Sequence, residues 1–361
     1  MIILILSNNA SGLVSFRVEL IEKMIEIGYE VYVSVPRDKY AEQLEKNGCI
    51  VLETKLSRHG INPIAELSLL RFYKKIVRTI KPNFVLTYTI KPNVYGGVAC
   101  QKLRIPYIVN ITGLGDSIEN GGLMQKITLF LYRKGLKKAK HVFFQNQTNC
   151  DFFINKKIVK NNFSVLPGSG VNLQKHHLIQ YPSRDYPIVF ATIGRITKDK
   201  GINELLQAIT VIKSKRSDVE FLLIGAIDDE KYKPVISEFT SKGLLMHIDF
   251  TDDVDFYIGR SYAVINPSYH EGMSNVLLEA LSCGRPVLAS NIPGCIETFD
   301  DKISGIAFEP KNVDSLVDGI LAFLNLSYED MKQMGLNGRD KVQKNFDRNI
   351  VIDEYFKVIT D

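Results

Sequence analysis

Two short stretches combine residue types suited to a ligand that carries a ribose and phosphates. The first is Asn266-Pro-Ser-Tyr-His-Glu271-Gly272-Met273-Ser274-Asn275-Val-Leu-Leu-Glu279-Ala280. Two carboxylates enclose seven residues where an apolar run gives way to a helical pattern. Gly272 allows the backbone to approach a ligand closely. The amides of Gly272, Met273, Ser274 and Asn275 fall at or near a helix start, where N–H groups and the helix dipole favour a phosphate. Glu279, over a turn into that helix, can accept both hydroxyls of a ribose. Glu271, on the loop before it, can reach a sugar attached to the phosphate. Either glutamate alone would read as a surface carboxylate of an amphipathic helix; the combination with Gly272 points to a site. The second stretch is Gly194-Arg195-Ile-Thr-Lys-Asp-Lys200-Gly201, directly after another apolar run. A nucleoside diphosphate that leaves a sugar gains negative charge, and without a metal fixed cations must take it. Arg195 can fork onto two oxygens and Lys200 can act as a compact point charge. Lys198 reads as solvated.

Such residues need a scaffold, and the chain supplies one twice. Residues 1–6 read as a buried strand, and Leu13 to Gly28 as a helix with apolar Val14, Leu20, Ile21, Met24, Ile25 and Ile27. Glu30 to Val35, Ile50 to Leu52, Phe84 to Leu86, Tyr107 to Asn110, His141 to Phe144 and Phe163 to Leu166 read as further strands. Helical stretches such as Ile64 to Ile80, and one from Pro92 to about Leu103, separate them. After Tyr181-Pro182-Ser183 the rhythm restarts. Strands are expected at 188–193, 219–224, 262–265 and 286–290, with helices at 203–213 and 275–282. Alternation of this kind means parallel sheets covered on both faces. The expected organisation is a first Rossmann-like domain over 1–175, a second over 188–345, and a final helical segment over 346–361. Ligands of such sheets sit beyond the carboxyl ends of the strands, which here means a cleft between two facing domains. The first strand-to-helix loop, Ser7 to Gly12, would line it. It lacks G-x-G-x-x-G, which argues against a dinucleotide cofactor. Gly12 is the candidate close-approach point for a donor in that loop, although a lone glycine there is more often plain turn chemistry.

The 361 residues suit two domains, and the 45% of hydrophobic residues is enough for two cores. The apolar start lacks the basic region and cleavage site of a signal peptide, and no apolar run reaches the roughly 20 residues of a spanning helix. A cytoplasmic location is therefore expected. Cys49, Cys100, Cys150, Cys283 and Cys295 are scattered, with no pair at metal-ligand spacing, and are expected to be reduced and packed. The net charge of +5 is unevenly spread. Residues 1–180 hold 25 Lys and Arg against 12 Asp and Glu, and residues 181–361 hold 20 against 28. The basic first half implies an anionic partner. Gln125 to Lys140 mixes Ile127, Phe130, Leu131 and Tyr132 with six cations, and Arg71-Phe-Tyr-Lys-Lys75 is similar. Such faces suit anionic lipid headgroups, or pack their apolar stripe on the protein's own sheet. No cluster of the six histidines suggests a metal; Asp228-Asp229-Glu230 and Asp252-Asp253 read as solvated loop charges.

The pairing of Gly194-Arg195…Lys200-Gly201 with Glu271-x7-Glu279 resembles retaining glycosyltransferase family 4, of the GT-B fold. Ser57-Arg-His-Gly-Ile-Asn-Pro63, Tyr88-Thr-Ile-Lys-Pro-Asn-Val-Tyr-Gly96, Asn110-Ile-Thr-Gly-Leu-Gly115 and Leu166-Pro-Gly-Ser-Gly-Val-Asn172 resemble its capsular-polysaccharide and O-antigen branch. They are also similar to the N-acetylgalactosaminyltransferases of bacterial lipid-linked glycan assembly. The resemblance covers essentially the whole chain. It implies a UDP-sugar donor, retention at the anomeric carbon, no metal or cofactor, and a polyprenyl-diphosphate-linked acceptor. It also implies a final helix that crosses back to the first domain. Arg195 and Lys200 would hold the diphosphate, Glu279 the ribose and Glu271 the donor sugar. Where many members carry a His-Gly, this chain has Thr112-Gly113, so no side-chain base is identified; Asp116 and Glu119 are candidates, or ordinary loop carboxylates. Arg17 and Lys91 are each either ligands of the acceptor diphosphate or ordinary surface charges. His270 precedes Glu271 but need not face the sugar.

Two readings from other classes compete. A sugar-nucleotide epimerase has the same two-domain architecture and the same need for cations and carboxylates. A nucleic-acid-binding protein rests only on the basic first half, with no matching motif. The expected setting is the cytoplasmic face of an inner membrane, bound to its anionic surface, with no nucleic acid. Donor sugar, acceptor linkage and oligomeric state leave no mark in the sequence.

Overall fold

The computed structural model describes residues 1–54, 63–115, 118, 121–184 and 187–360. The chain divides into two compact units, residues 1–169 with 351–361, and residues 170–350.

In the first unit, β1 (Ile2–Leu6), β2 (Glu30–Val35), β3 (Ile50–Glu53), β4 (Phe84–Tyr88), β5 (Tyr107–Ile111), β6 (His141–Phe144) and β7 (Phe163–Val165) form one sheet in the order 3-2-1-4-5-6-7. Every pairing in it is parallel. Burial on both faces explains why its central strands are unbroken apolar runs. Ile3 and Ile5 pack on one side with Leu13, Ile21 and Met24, and with Val351 and Tyr355 of the final helix, Arg348–Thr360. Leu4 and Leu6 pack on the other with Tyr73, Val77, Val94 and Tyr132.

The second unit repeats the plan. β8 (Ile188–Ile193), β9 (Val219–Ile224), β10 (Met246–Ile248), β11 (Ala263–Asn266), β12 (Val287–Ser290) and β13 (Gly305–Phe308) lie in the order 10-9-8-11-12-13, again all parallel. In both sheets the order reverses beside the first strand, between β1 and β4 and between β8 and β11. Loops leaving these strands diverge to opposite faces and open a crevice at their carboxyl ends. The loop after β8 carries Gly194 to Gly201, and the loop after β11 carries Glu271 and Gly272 and leads into the helix that bears Glu279.

Local differences from the sequence pattern have local causes. The helix expected over Leu13 to Gly28 is two helices, Ala10–Phe16 and Val18–Glu26, broken at Arg17 (φ −139°). The chain from Pro92 starts as a π-helical turn, Pro92–Gly96, before the α-helix Gly97–Leu103. A Cβ on Gly97 would lie 2.3 Å from the Gly135 carbonyl oxygen, so glycine sets the close packing there. The basic stretch forms the helix Gly122–Gly135, which buries Thr128, Leu129, Tyr132 and Gly135 and turns Leu123 and Phe130 outward. The edge strands β10 (Met-His-Ile) and β13 (Gly-Ile-Ala-Phe) escape the sequence reading because these short, partly exposed edges are not continuous apolar runs. All five cysteines are buried and unlinked. No helix among the described residues is long and apolar enough to cross a membrane.

Candidate active site

The second unit brings its two motif loops into direct contact. After β8 the chain passes Gly194 (φ 150°), then a single 3-10 turn, Lys198–Lys200, and Gly201 in the left-handed region (φ 67°). Gly201 also starts the helix Ile202–Lys215. A Cβ on Gly201 would sit 2.0 Å from the Pro267 carbonyl oxygen, so the turn lies against the loop after β11 only because residue 201 has no side chain. The Tyr269 amide donates to the Asp199 carbonyl at 2.8 Å and tightens the same contact. Lys200 Nζ then donates to Glu271 Oε1 at 2.6 Å, with the two side chains 24% and 16% exposed. The Tyr269 hydroxyl donates to Glu204 Oε2 at 2.6 Å; burial first, then this carboxylate, raises its pKa.

Arg195 stands apart from that pair. Its side chain is 66% exposed, and Nη1 lies 3.1 Å from Asp228 Oδ2. The acidic run read as solvated loop charges is therefore ion-paired throughout, since Asp229 also meets Lys231 at 2.6 Å and Glu230 meets Lys233 at 2.7 Å. Lys198 is exposed, as is His270.

The start of the helix Asn275–Ser282 differs from expectation in one respect. Ser274 is its N-cap residue, but its amide donates to the Gly294 carbonyl at 2.7 Å and its hydroxyl accepts from Asn266 Nδ2 at 2.7 Å. One of the four amides expected for phosphate is thus already used inside the protein. Met273 is 7% exposed and packs in the core, so only its backbone can serve a ligand. Close packing against this loop requires a glycine at Gly294, on the loop that follows β12. Gly294 has φ 80°, and a Cβ there would come 2.7 Å from the Glu271 carbonyl oxygen.

Glu279 lies one turn into the helix with its side chain 18% exposed. Burial raises its carboxyl above the usual range, and the nearby His176 and Lys175 oppose that rise. His176 was not singled out by the sequence. Its Nδ1 lies 2.6 Å from Asp255 Oδ1, its Nε2 lies 4.0 Å from Glu279 Oε1, and Cys283 Sγ donates to the same Asp255 oxygen at 3.6 Å. His176, Asp255 and Cys283 thus form a group of possible metal-binding side chains that sequence spacing did not reveal. Their contacts are those of hydrogen bonds, and burial followed by Asp255 pushes the Cys283 thiol up, away from the thiolate a metal would need.

In the first unit the candidates lie at or beyond strand carboxyl ends, where the loops of such a sheet carry ligand contacts. Asn9 caps the helix Ala10–Phe16, accepting from the amides of Ser11 and Gly12. A Cβ on Gly12 would make only ordinary contact, 3.8 Å from Asn9, so nothing local demands glycine there. Arg17 is no surface charge. It is 5% exposed, with its guanidinium over the rings of Tyr88 (5.4 Å) and Tyr355 (5.9 Å) and Nη1 donating to the Phe16 carbonyl. Gln145, with its amide oxygen turned toward Arg17, accepts from Arg17 Nη2 at 3.2 Å and donates to the Thr112 carbonyl at 3.1 Å. Arg17 and Thr112 are thereby joined through a residue the sequence did not mark. Lys91 is ion-paired with Glu66 at 2.8 Å. Burial, then Glu66, pushes the neighbouring Tyr95 up to about 12. Thr89, directly after β4, holds φ 71°, which is strained for a β-branched residue and marks this strand end as constrained. Asp116, Glu119 and the Ser57–Asn62 part of the first family-like stretch lie outside the described residues.

Residues 175–341 match the model for glycosyl transferases group 1, and residues 2–146 match that for glycosyl transferase 4-like domains. The chain is 27% identical to the N,N'-diacetylbacillosaminyl-diphospho-undecaprenol alpha-1,3-N-acetylgalactosaminyltransferase of Campylobacter jejuni, over 98% of this chain and 96% of that one. It is 31% identical to the capsular polysaccharide biosynthesis glycosyltransferase CapM of Staphylococcus aureus, over 46% and 44%. Among solved structures, the Anabaena protein HepE, crystallised in complex with UDP, superimposes with a TM-score of 0.81 at 17% identity and full coverage of both chains. A glycosyltransferase of Rickettsia africae does so at 0.77 and 18%, over 99% and 97%. The epimerase alternative is not favoured, because the models matching the two halves are both of glycosyltransferases. Two Rossmann-like units with their motif loops at the switch point, each matched by its own family model, make this chain a member of the group 1, family 4-like glycosyltransferases of the GT-B fold.

Proposed function

We propose that this glycosyltransferase moves a hexose or N-acetylhexosamine from a UDP-sugar to a polyprenyl-diphosphate-linked glycan, in assembly of capsule, O-antigen or a related polysaccharide. It does so with retention at the anomeric carbon and without a metal or cofactor. The observation that carries the reading is the Lys200–Glu271 pair at the switch point of the second sheet. An ammonium has three donors, so Lys200 can keep its bond to Glu271 while a second N–H takes a phosphate oxygen. That arrangement holds Glu271 at the junction between diphosphate and sugar, and Lys200 stabilises the charge that grows on the departing diphosphate. Arg195, exposed and ion-paired with Asp228 at the surface, can swing its fork onto the same diphosphate. Glu279 receives the ribose hydroxyls. UDP as the nucleotide is supported by HepE, which was crystallised with it. The lipid-linked acceptor is supported by the Campylobacter relative, whose name specifies one.

The chain works, in this reading, on the cytoplasmic face of the inner membrane. The helix Gly122–Gly135 supports it with exposed Leu123, Met124, Ile127 and Phe130 at helical spacing, and Lys134 stacks on Phe130 at 5.3 Å. Beside its end a cavity of about 710 Å³ is lined by Arg133, Lys134, Lys137, Lys157 and Lys160. An apolar stripe that ends in cations suits the boundary between acyl chains and anionic headgroups.

Incubation with a panel of UDP-sugars and a polyprenyl-diphosphate-linked acceptor, with and without EDTA, tests the proposal. Expected are a lipid-linked product with the donor's anomeric configuration by NMR and undiminished turnover in EDTA. An inverted linkage, or activity lost in EDTA and restored by Mn²⁺, refutes the corresponding part. Conversion of the UDP-sugar to its epimer without acceptor refutes transfer as the activity.

A further inference from the structure

The region behind Glu279 is more elaborate than a carboxylate at a helix face requires. The segment after β7 is clamped there by two arginines. Arg285, fully buried, donates to the carbonyls of Ile179 (3.0 Å), Gln180 (2.6 Å) and Gly259 (2.7 Å). Arg339 donates to the carbonyl of His176 at 2.8 Å, and the Ser282 hydroxyl donates to that same oxygen. The backbone of His176 is therefore held from two helices. Its ring, 5% exposed, is held from a third, because Asp255 on the helix Val254–Arg260 accepts from Nδ1 at 2.6 Å. An ionised carboxylate is acceptor-only, so Nδ1 carries the proton and the ring cannot turn without breaking that bond. The other nitrogen, Nε2, then faces Glu279 Oε1 at 4.0 Å, longer than a direct hydrogen bond, and offers it an N–H only in the imidazolium form of the ring.

We propose that Asp255 and His176 are a positioning pair for Glu279, and that His176 is thereby a specificity-determining residue for the ribose of the donor nucleotide. The proposal rests on Glu279 as the ribose ligand. Burial, and more weakly the Asp255 charge, disfavours the charged form of Glu279; His176 is foremost among the neighbours that favour it, ahead of Lys175 and Arg348. A carboxylate recognises two vicinal hydroxyls only if it is ionised and its oxygens are aimed. The imidazolium Nε2–H, 4.0 Å from one oxygen, attracts it across the gap and leaves the other to the hydroxyls. Asp255 acts one step further back, by fixing which nitrogen faces Glu279. Cys283, whose thiol donates to the Asp255 oxygen shared with His176, completes the acceptor's partners.

Calorimetric titration with UDP and 2′-deoxy-UDP, on the full chain and its variants, tests this. The wild type should prefer UDP by roughly ten- to a hundredfold, the range of a hydrogen bond to a charged group. Glu279→Gln should erase most of that preference. His176→Phe should do the same while changing the 2′-deoxy-UDP dissociation constant by less than about threefold. His176→Gln, whose amide can still donate toward Glu279, should recover most of it. If His176→Phe does not fold, His176→Gln and Asp255→Asn carry the test, the latter expected to weaken the preference part-way. Full wild-type preference in His176→Phe or in Asp255→Asn, or a His176→Gln variant that has lost the preference, overturns the positioning role while leaving Glu279 as the ribose ligand. Equal weakening of both nucleotides by His176→Phe, beside a large fall in unfolding temperature, overturns it in favour of plain structural support. Preference retained in Glu279→Gln overturns both the ribose reading and the inference built on it.

Discussion

Lys200→Ala separates chemistry from stability. The Lys200–Glu271 contact is 2.6 Å long between side chains 24% and 16% exposed. It therefore lies between an exposed pair, worth about 0–1 kcal/mol, and a buried one, whose breaking costs about 3–5 kcal/mol. With partial solvent screening, about 1–2 kcal/mol of stability should be lost. For a unit of this size that is a fall of roughly 3–6 °C in the midpoint of its thermal unfolding. The stability margin of a folded domain is about 5–15 kcal/mol, so the variant remains folded at 25 °C. Loss of a preorganised stabiliser of leaving-group charge costs about 3 kcal/mol in the transition state, or about a hundredfold in kcat. Turnover, followed as nucleotide release in the presence of acceptor, should thus fall far more than unfolding alone could explain. Glu271→Gln and the double variant complete a cycle. Because the two side chains touch, their effects should be non-additive by about 0.5–3 kcal/mol. Near-wild-type kcat in Lys200→Ala refutes the assignment. Fully multiplicative losses in the double variant refute the claim that Glu271 and Lys200 act as a unit.

Glu279→Gln should weaken donor binding, whereas Glu271→Gln mainly lowers kcat; measured KM and kcat for each decide this, and the opposite split exchanges the two roles. Burial raises the folded-state pKa of Glu279 above its ordinary 4.5, so its contribution to stability is present below that value and lost as pH rises through the raised one. Denaturant unfolding of wild type and Glu279→Gln should therefore show the variant gaining on the wild type as pH rises from 4 to 7, and a parallel pair of curves would contradict it. Gly201→Ala should destabilise the second unit by about 1–3 kcal/mol and depress turnover, since it forces a side chain against the Pro267 carbonyl at φ 67° and displaces Lys200; an unchanged denaturation midpoint would count against the strain argument. Flotation with anionic vesicles should weaken in salt and weaken further when Lys134, Lys137 and Lys138 become Gln or when Leu123, Ile127 and Phe130 become Ser; equal flotation of all three proteins would remove this helix as the docking face.

Much of the scaffold was legible because it is local. A parallel strand buried on both faces must be an apolar run, and a crossover helix must show apolar positions three and four residues apart, so Ile188 to Ile193 and Asn275 to Ser282 declare themselves without partners. The loops that follow such strands are where ligand-binding residues are placed, which made Arg195, Lys200, Glu271 and Glu279 visible as candidates. What a candidate touches is not local. Lys200 and Glu271 lie 71 residues apart and meet because β8 and β11 are neighbours across the switch point. The sequence cannot show that adjacency, since the intervening β9 and β10 lie on the far side of β8. His176 lies 79 residues from Asp255, and no spacing rule joins them. Close approach likewise singles out Gly294, whose missing side chain makes room for the carbonyl of Glu271. Burial reverses the meaning of Arg17. On a helical pattern it is an ordinary cation, but the break at its own backbone and the Tyr88 and Tyr355 rings enclose it. Residue type and order thus determined which groups are available for chemistry. Sheet order and the close contact of loops decided which of them are paired, buried or already used, because those depend on distances that only the folded chain sets.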